Sequence, residues 1–161
     1  MKGWAWGLFL LVLAAWLQIG GLNALLPFRL DFILLVVVCF GVLRGPREGL
    51  IFGLIAGSLE GGLTGSFYFL AFMVAKAVVG FLAGKLRPFL YHHGGGVIMT
   101  MVAVSTLLQE TLLGLCFISS GLAVGEHLNR YLLPLILIHS LVAPLLFRAT
   151  RPLLRLKVIR P

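Results

Sequence analysis

Three ionisable side chains lie within long apolar stretches of the sequence, where a charge is costly. Lys76 and Glu110 fall near the middle of their stretches, and Glu60 falls late in another. An unpaired charge at the centre of a lipid bilayer costs at least about 2.5–3.5 kcal/mol. In a membrane, such residues either pair with one another or line a path for protons or substrate.

The surroundings of Lys76 and Glu110 favour pairing. Lys76 is followed by glycines at four-residue steps, and Glu110 is flanked at the same step by Thr106 and Gly114. Small residues at this spacing allow helices to pack closely. The two residues also fall at similar depth in successive, antiparallel segments. We predict a buried Lys76–Glu110 ion pair, because a proton path would need a longer chain of acidic residues.

The other polar residues within the apolar stretches are interpreted as contacts between helices. Glu60 is either a site residue near the outer surface or a polar contact that fixes helix register. Gln109 is predicted to form an interhelical hydrogen bond. His139 lies between two prolines and is predicted to bond a backbone carbonyl that a proline leaves free. The adjacent His92 and His93 point apart on any regular element, so they do not form a chelate.

The sequence contains no pattern typical of an enzyme. No nucleophile and base occur at a defined spacing, and neither CxxC nor HExxH is present. Cys39 and Cys116 lie inside apolar stretches, as small buried hydrophobic residues do. We therefore predict a protein without catalytic residues, cofactor or metal.

The composition indicates that the chain lies in a lipid bilayer. Hydrophobic residues make up 60% of the chain and charged residues 11%, against about 45–50% and 25% in soluble proteins. The formal net charge is +8. The basic residues lie between apolar stretches and in a short tail, so the anionic lipid bilayer is the expected partner and nucleic acid is not.

Six apolar stretches approach the roughly 17–25 residues that a spanning helix needs. We predict an all-α integral membrane protein, a six-transmembrane-helix bundle over residues 1–147, with a basic cytoplasmic tail over 148–161. A cleaved signal peptide is the alternative for the first stretch, but no clear cleavage site follows it. The predicted spans are Trp4–Ile19, Leu30–Leu43, Gly49–Gly65, Phe67–Leu86, Val97–Ser119 and Tyr131–Phe147.

Orientation follows from the Lys and Arg residues beside the spans, which favour the cytoplasmic side. With both termini inside, only Arg29 and Arg130 lie outside, and Lys76 lies within a span. Ten basic residues then lie inside: Lys2, Arg44, Arg47, Lys85, Arg87, Arg148, Arg151, Arg155, Lys157 and Arg160. This bias supports both the orientation and an even number of spans.

The third predicted span carries a glycine at every fourth position. Sixteen residues of helix rise about 24 Å, so the stripe would run through most of the bilayer core. Small residues at this spacing let another helix approach closely. The partner is either another helix of this chain or a helix of another protein. The stripe consists of Gly49, Gly53, Gly57, Gly61 and Gly65.

These features together resemble the rod shape-determining protein MreD family of bacteria. The resemblance begins at Pro27-Phe28-Arg29-Leu30-Asp31-Phe32 and continues through the Gly45-Pro46 turn. It includes the glycine-rich span and ends at Gly80-Phe81-Leu82-Ala83-Gly84. The family usually carries an Asp near the end of the glycine-rich span, where this chain has Glu60.

The resemblance implies a non-enzymatic scaffold subunit of the cell-elongation machinery in the bacterial cytoplasmic (inner) membrane. Its implied partner is MreC, with RodA, a class B penicillin-binding protein and MreB in the wider complex. The family fold resembles the S-component of energy-coupling-factor vitamin transporters. A substrate-binding S-component is therefore the alternative function.

Overall fold

The structure, a computed structural model, describes residues 2–20, 30–65, 68–88, 95–119 and 125–154. Within these ranges the chain forms six α-helices and no strands, which confirms the all-helical prediction. Each predicted apolar stretch overlaps one helix, although the bounds differ. The helices are α1 Lys2–Ile19, α2 Phe32–Arg44, α3 Pro46–Leu63, α4 Phe69–Lys85, α5 Gly95–Ser119 and α6 Gly125–Leu154.

Helix α2 is the centre of the bundle. Every residue from Ile33 to Val42 is buried, and α2 contacts all five other helices. Its sequence is apolar on every side, as a helix surrounded by other helices requires. At 13 residues it is the shortest of the six. It ends at Arg44 because Gly45 adopts a φ of +105° and Pro46 begins α3.

Helices α3 and α4 form a hairpin whose backbones touch along the glycine stripe. A Cβ on Gly53 would lie 2.7 Å from the Lys76 carbonyl carbon, and one on Gly57 would lie 2.5 Å from the Met73 Cα. Gly49 meets Gly80, and Gly61 meets Phe69. Four glycines of the stripe therefore pack against another helix of the same chain.

Gly65, the fifth glycine of the predicted stripe, does not belong to it. Helix α3 ends at Leu63, and Gly65 follows its C-cap with a φ of +58°. A Cβ on Gly65 would meet nothing within 4 Å. The spacing is the same, but a glycine with left-handed backbone just beyond a helix ends the helix.

The outward faces of the bundle are apolar. Four leucines of α6 at four-residue steps, Leu133, Leu137, Leu141 and Leu145, are each 67–72% exposed. Helix α1 exposes Phe9, Val12 and Trp16 in the same way. A soluble protein rarely exposes so much contiguous apolar surface. Two segments, Gly96–Ile118 and Leu132–Leu153, are long and apolar enough to cross a membrane.

Helix α6 continues past Phe147, where the basic tail was predicted to begin. Thr150 is buried, and its hydroxyl donates a hydrogen bond to the Leu146 carbonyl at 2.9 Å. The first residues of the predicted tail therefore extend the last helix. The rest of the tail, from 155 to 161, and the loop histidines His92 and His93 lie outside the described residues.

Candidate functional site: a buried polar network

Lys76 is the centre of a polar network inside the bundle. Its side chain is fully buried on α4. The amine Nζ lies 2.7 Å from Oδ2 of Asp31, 2.8 Å from Oε2 of Glu60 and 2.9 Å from Oε1 of Gln109. A lysine ammonium has three N–H donors, so oxygens from three different helices or helix ends surround it.

Asp31 joins this network to the start of α2. It is the N-cap residue of α2, and its Oδ1 accepts a hydrogen bond from the Leu34 N–H at 2.7 Å. Its Oδ2 accepts from Lys76 and, also at 2.7 Å, from Nε2 of Gln109. Capping by an aspartate satisfies a free N–H and places negative charge at the positive end of the helix dipole.

Glu60 connects the network to α1 through Gln18. The Gln18 Nε2 donates a hydrogen bond to Glu60 Oε1 at 2.7 Å. The Gln18 Oε1 accepts a hydrogen bond from the Ile33 N–H at 3.3 Å. The second bond fixes the orientation of the Gln18 amide, because a flipped amide would set two donors against each other. Glu60 thus links α1, α3 and α4, as a contact that fixes helix register does.

His139 completes the network from α6, but not in the predicted way. Its Nε2 accepts a hydrogen bond from the Asp31 backbone N–H at 3.0 Å. The prediction that His139 bonds a carbonyl freed by a proline is wrong. The physical reason is that residues at a helix N-terminus have N–H groups without a partner in the helix.

The tautomer of His139 follows from its two contacts. Because Nε2 accepts, the neutral ring carries its proton on Nδ1. That proton is donated to the Thr106 Oγ1, 3.1 Å away, and the Thr106 hydroxyl donates in turn to the Val102 carbonyl at 2.9 Å. His139 is therefore held as a neutral hydrogen-bonding link between α2 and α5.

All six helices contribute to this network, which lies at the ends of α1, α2 and α3 and near the middle of α4, α5 and α6. Gln18 is in the last turn of α1, Asp31 precedes α2, and Glu60 is near the end of α3. A contact that joins six helices fixes their relative positions. We call the following residues the polar network: Gln18, Asp31, Glu60, Lys76, Thr106, Gln109 and His139.

The predicted Lys76–Glu110 pair is wrong. Within the described part of the chain, the carboxylates paired with Lys76 are those of Asp31 and Glu60. Adjacent residues of a helix point about 100° apart, and it is Gln109 that faces the network while Glu110 is only half-buried. The predicted interhelical role of Gln109 is confirmed.

Asp31 and Gln18 are the residues that sequence reasoning missed. An Asp directly before an apolar run is a signature of a helix N-cap, and that signal was available for Asp31. This N-cap signal does not reveal the contact between Asp31 and Lys76, because 45 residues separate them in the sequence.

The charged groups of the network pair with one another, so the network holds the helices together by electrostatic attraction. It holds two carboxylates and one ammonium, and its hydroxyl and imidazole groups bond to their neighbours. Across the described ranges, no three His, Cys, Asp or Glu side chains are grouped so that they could hold a metal ion. No family model, curated protein or solved structure matches the chain. Function must therefore be inferred from the residues and their geometry.

Replacement of His139 with leucine is expected to destabilise the bundle by about 1–3 kcal/mol, because the buried Asp31 N–H loses its acceptor. Thr106→Val should have an effect of the same size, since it leaves the His139 Nδ1–H without an acceptor. Unfolding in detergent would measure both. Ser140→Ala is the matched control, because the neighbouring Ser140 Oγ has no hydrogen-bond partner. Equal stability of His139→Leu and Ser140→Ala would contradict the assignment.

Proposed function

We propose that the chain is a non-enzymatic scaffold subunit of the bacterial cell-elongation complex. In this role it binds MreC in the cytoplasmic membrane and supports peptidoglycan synthesis and cell shape. The observation that carries the proposal is the polar network itself. Its charged groups are directed at one another, and the network as a whole joins six helices, as expected of a rigid body that holds partners in place.

The sequence resemblance to the MreD family supports the same proposal. That resemblance covers residues from Pro27 to Gly84 and includes Asp31, the glycine stripe and the helix that carries Lys76. This region holds the three charged residues of the network and the close α3–α4 packing. Fold likeness alone does not determine function, so the proposal depends on the partner test below.

We further propose that all six helices cross the membrane, with both termini in the cytoplasm. The distribution of Lys and Arg supports this orientation, and the apolar outward faces of α1 and α6 suit contact with lipid. In this orientation the polar network lies in the outer half of the bundle. The α2–α3 turn and the C-terminal end of α4 lie at the inner surface.

MreC is the proposed direct partner, and RodA, the class B penicillin-binding protein and MreB are proposed members of the wider complex. The glycines Gly49, Gly53, Gly57 and Gly61 are buried against α4. We therefore propose that MreC contacts another surface of the bundle, and that the glycine stripe serves assembly of the chain itself.

A substrate-binding S-component of a vitamin transporter is the second candidate. One observation favours it: the polar side chains lie between the middle of the bundle and the end that would face outward, the side from which such a subunit would receive its substrate. Against it, these side chains are bonded to one another. A thermal shift with a panel of water-soluble vitamins would reveal such a ligand, and none is expected to stabilise the protein.

Co-purification with MreC tests the scaffold proposal. The tagged chain and MreC would be co-expressed, extracted in mild detergent and isolated through the tag. MreC is expected to be retained, whereas an unrelated six-span protein with the same tag should not retain it. If a folded, monodisperse chain retains no more MreC than this control, the proposed function is wrong.

A further inference from the structure

Glu110 is an acidic residue at the outer surface of a helix that is long enough to cross a membrane. It lies near the midpoint of the apolar segment Gly96–Ile118 of α5, and it is only half-buried. The ion pairs among the described residues are those of Arg44 and of Lys76, and neither includes Glu110. A carboxyl group at this depth of a bilayer is costly unless it is neutral and hydrogen-bonded.

The hydrogen-bonding capacity of the Glu110 carboxyl group is only partly used within the chain. Gln109 gives it one side-chain hydrogen bond, but the same amide also serves Lys76 and Asp31. A carboxyl group has two oxygens with about four lone-pair sites. Because the residue is half-exposed, lipid or another protein surface meets the rest of it. Lipid tails offer no hydrogen-bonding group, so a protein surface with a polar group at this depth is the better partner.

The exposed face of α5 differs in chemistry from the exposed face of α6. Helix α6 presents a stripe of four leucines, which gain little from leaving lipid because lipid tails are equally apolar. Helix α5 presents two threonines among its apolar residues, and small hydroxyl-bearing residues are typical of contacts between membrane helices. Glu110 borders this surface, three residues from Leu107 and therefore on the neighbouring turn. We call the following exposed residues the α5 face: Thr100, Val104, Leu107, Thr111, Leu115 and Ile118.

We propose that the α5 face is the contact surface of a homodimer, in which the Glu110 carboxyl groups of the two copies hydrogen-bond to each other. A second copy fits because a two-fold axis along the membrane normal places identical residues at the same depth. As carboxylic acids, the two groups each donate and accept one hydrogen bond, so neither carries a charge into the hydrocarbon. The Thr111 hydroxyl already donates to the Leu107 carbonyl at 2.7 Å, so its burial in the contact leaves no donor unsatisfied.

Disulfide cross-linking in membranes tests which face of the bundle forms the contact. Cys39 and Cys116 would be replaced, and a single cysteine introduced as Thr111→Cys or, for the matched control, as Leu141→Cys. Both positions are exposed and lie in segments long enough to cross a membrane, so a membrane-permeant oxidant reaches both. Thr111→Cys is expected to form a disulfide-linked dimer, whereas Leu141→Cys, on the leucine stripe of α6, should stay monomeric. Equal cross-linking of the two variants would overturn the proposal.

Förster transfer between copies that carry a donor or an acceptor fluorescent protein at the N-terminus measures the strength of the contact. In phosphatidylcholine vesicles, a series of protein-to-lipid ratios gives the dissociation constant of the dimer. Glu110→Leu should weaken dimerisation about tenfold, the effect of losing a polar contact between membrane helices. Glu110→Gln should dimerise nearly as well as the unmodified chain, because an amide also donates and accepts hydrogen bonds. This rescue separates a hydrogen bond across the contact from a steric effect of the side chain.

The same variants distinguish a second copy from other occupants of the α5 face. A chain that is monomeric at every protein-to-lipid ratio, or a Glu110→Leu variant that dimerises like the unmodified chain, overturns the proposal. If the chain is monomeric, loss of MreC from Glu110→Leu in co-purification would assign the face to MreC, and retention would assign it to lipid. If Glu110→Leu does not fold, the cross-linking comparison decides the question. The vesicles contain no MreC, so the dimer measurement is independent of the scaffold proposal.

Discussion

Replacement of Lys76 with methionine is expected to cause a large loss of stability. The change leaves the carboxylates of Asp31 and Glu60 inside the bundle without their cation. Removal of one partner from a buried ion pair typically costs about 3–5 kcal/mol, because an uncompensated charge remains. We therefore expect Lys76→Met to give little folded protein, measured as the monodisperse fraction after extraction in mild detergent and as the melting temperature of that fraction.

Two further variants make the Lys76 result specific. Lys85→Met removes an exposed lysine from the last turn of the same helix and should melt close to the unmodified protein. The triple variant Asp31→Asn/Glu60→Gln/Lys76→Met removes every charge of the cluster and should recover part of the lost stability, since an uncharged site is less costly than an unpaired charge. If Lys76→Met melts like Lys85→Met, Lys76 does not hold the network together.

Replacement of Gly53 or Gly57 with leucine is expected to separate α3 from α4. A Cβ at Gly53 would overlap the Lys76 carbonyl group and lie 2.8 Å from the Ala77 Cα, and one at Gly57 would overlap the backbone of Phe72 and Met73. Backbone atoms cannot move aside as a flexible side chain can. The helices must move apart, which also displaces Lys76 from its partners. Folded yield should fall sharply, whereas membrane insertion should persist because leucine favours insertion.

Gly62→Leu is the matched control for the glycine stripe. Gly62 belongs to the same helix, but a Cβ there meets nothing within 4 Å. This variant should therefore fold like the unmodified protein. Size-exclusion profiles and melting temperatures of the three variants give the comparison. The close contact would be refuted if Gly53→Leu and Gly57→Leu matched Gly62→Leu in both measurements.

The helices could be predicted because their apolar stretches are long and uninterrupted. The turn at Gly45 and Pro46 was also evident, because these residues end one helix and begin the next. The glycine stripe indicated a close helix contact, but its spacing could not identify the partner helix or exclude Gly65. That information depends on where α3 ends and on which helix follows it in space.

The partners of Lys76 could not be predicted from depth alone. Glu110 lies on a neighbouring helix at about the same depth as Lys76. Its side chain points about 100° away from that of Gln109, the residue that faces Lys76. Asp31 was overlooked because it lies at the edge of its apolar stretch, immediately before the helix begins. Its carboxylate reaches the interior only because α2 is central, and a central position is a tertiary property. Buried polar networks of this kind are fixed by the fold as a whole.

Membrane topology is the central claim on which the scaffold role and the outer position of the polar network both depend. Cysteine accessibility tests it most directly. Cys39 and Cys116 would be replaced, and single cysteines introduced as Ser66→Cys and His92→Cys. A membrane-impermeant maleimide on intact spheroplasts should label the first and leave the second unlabelled until the membrane is permeabilised. Labelling of His92→Cys in intact spheroplasts would contradict the six-span arrangement with both termini inside.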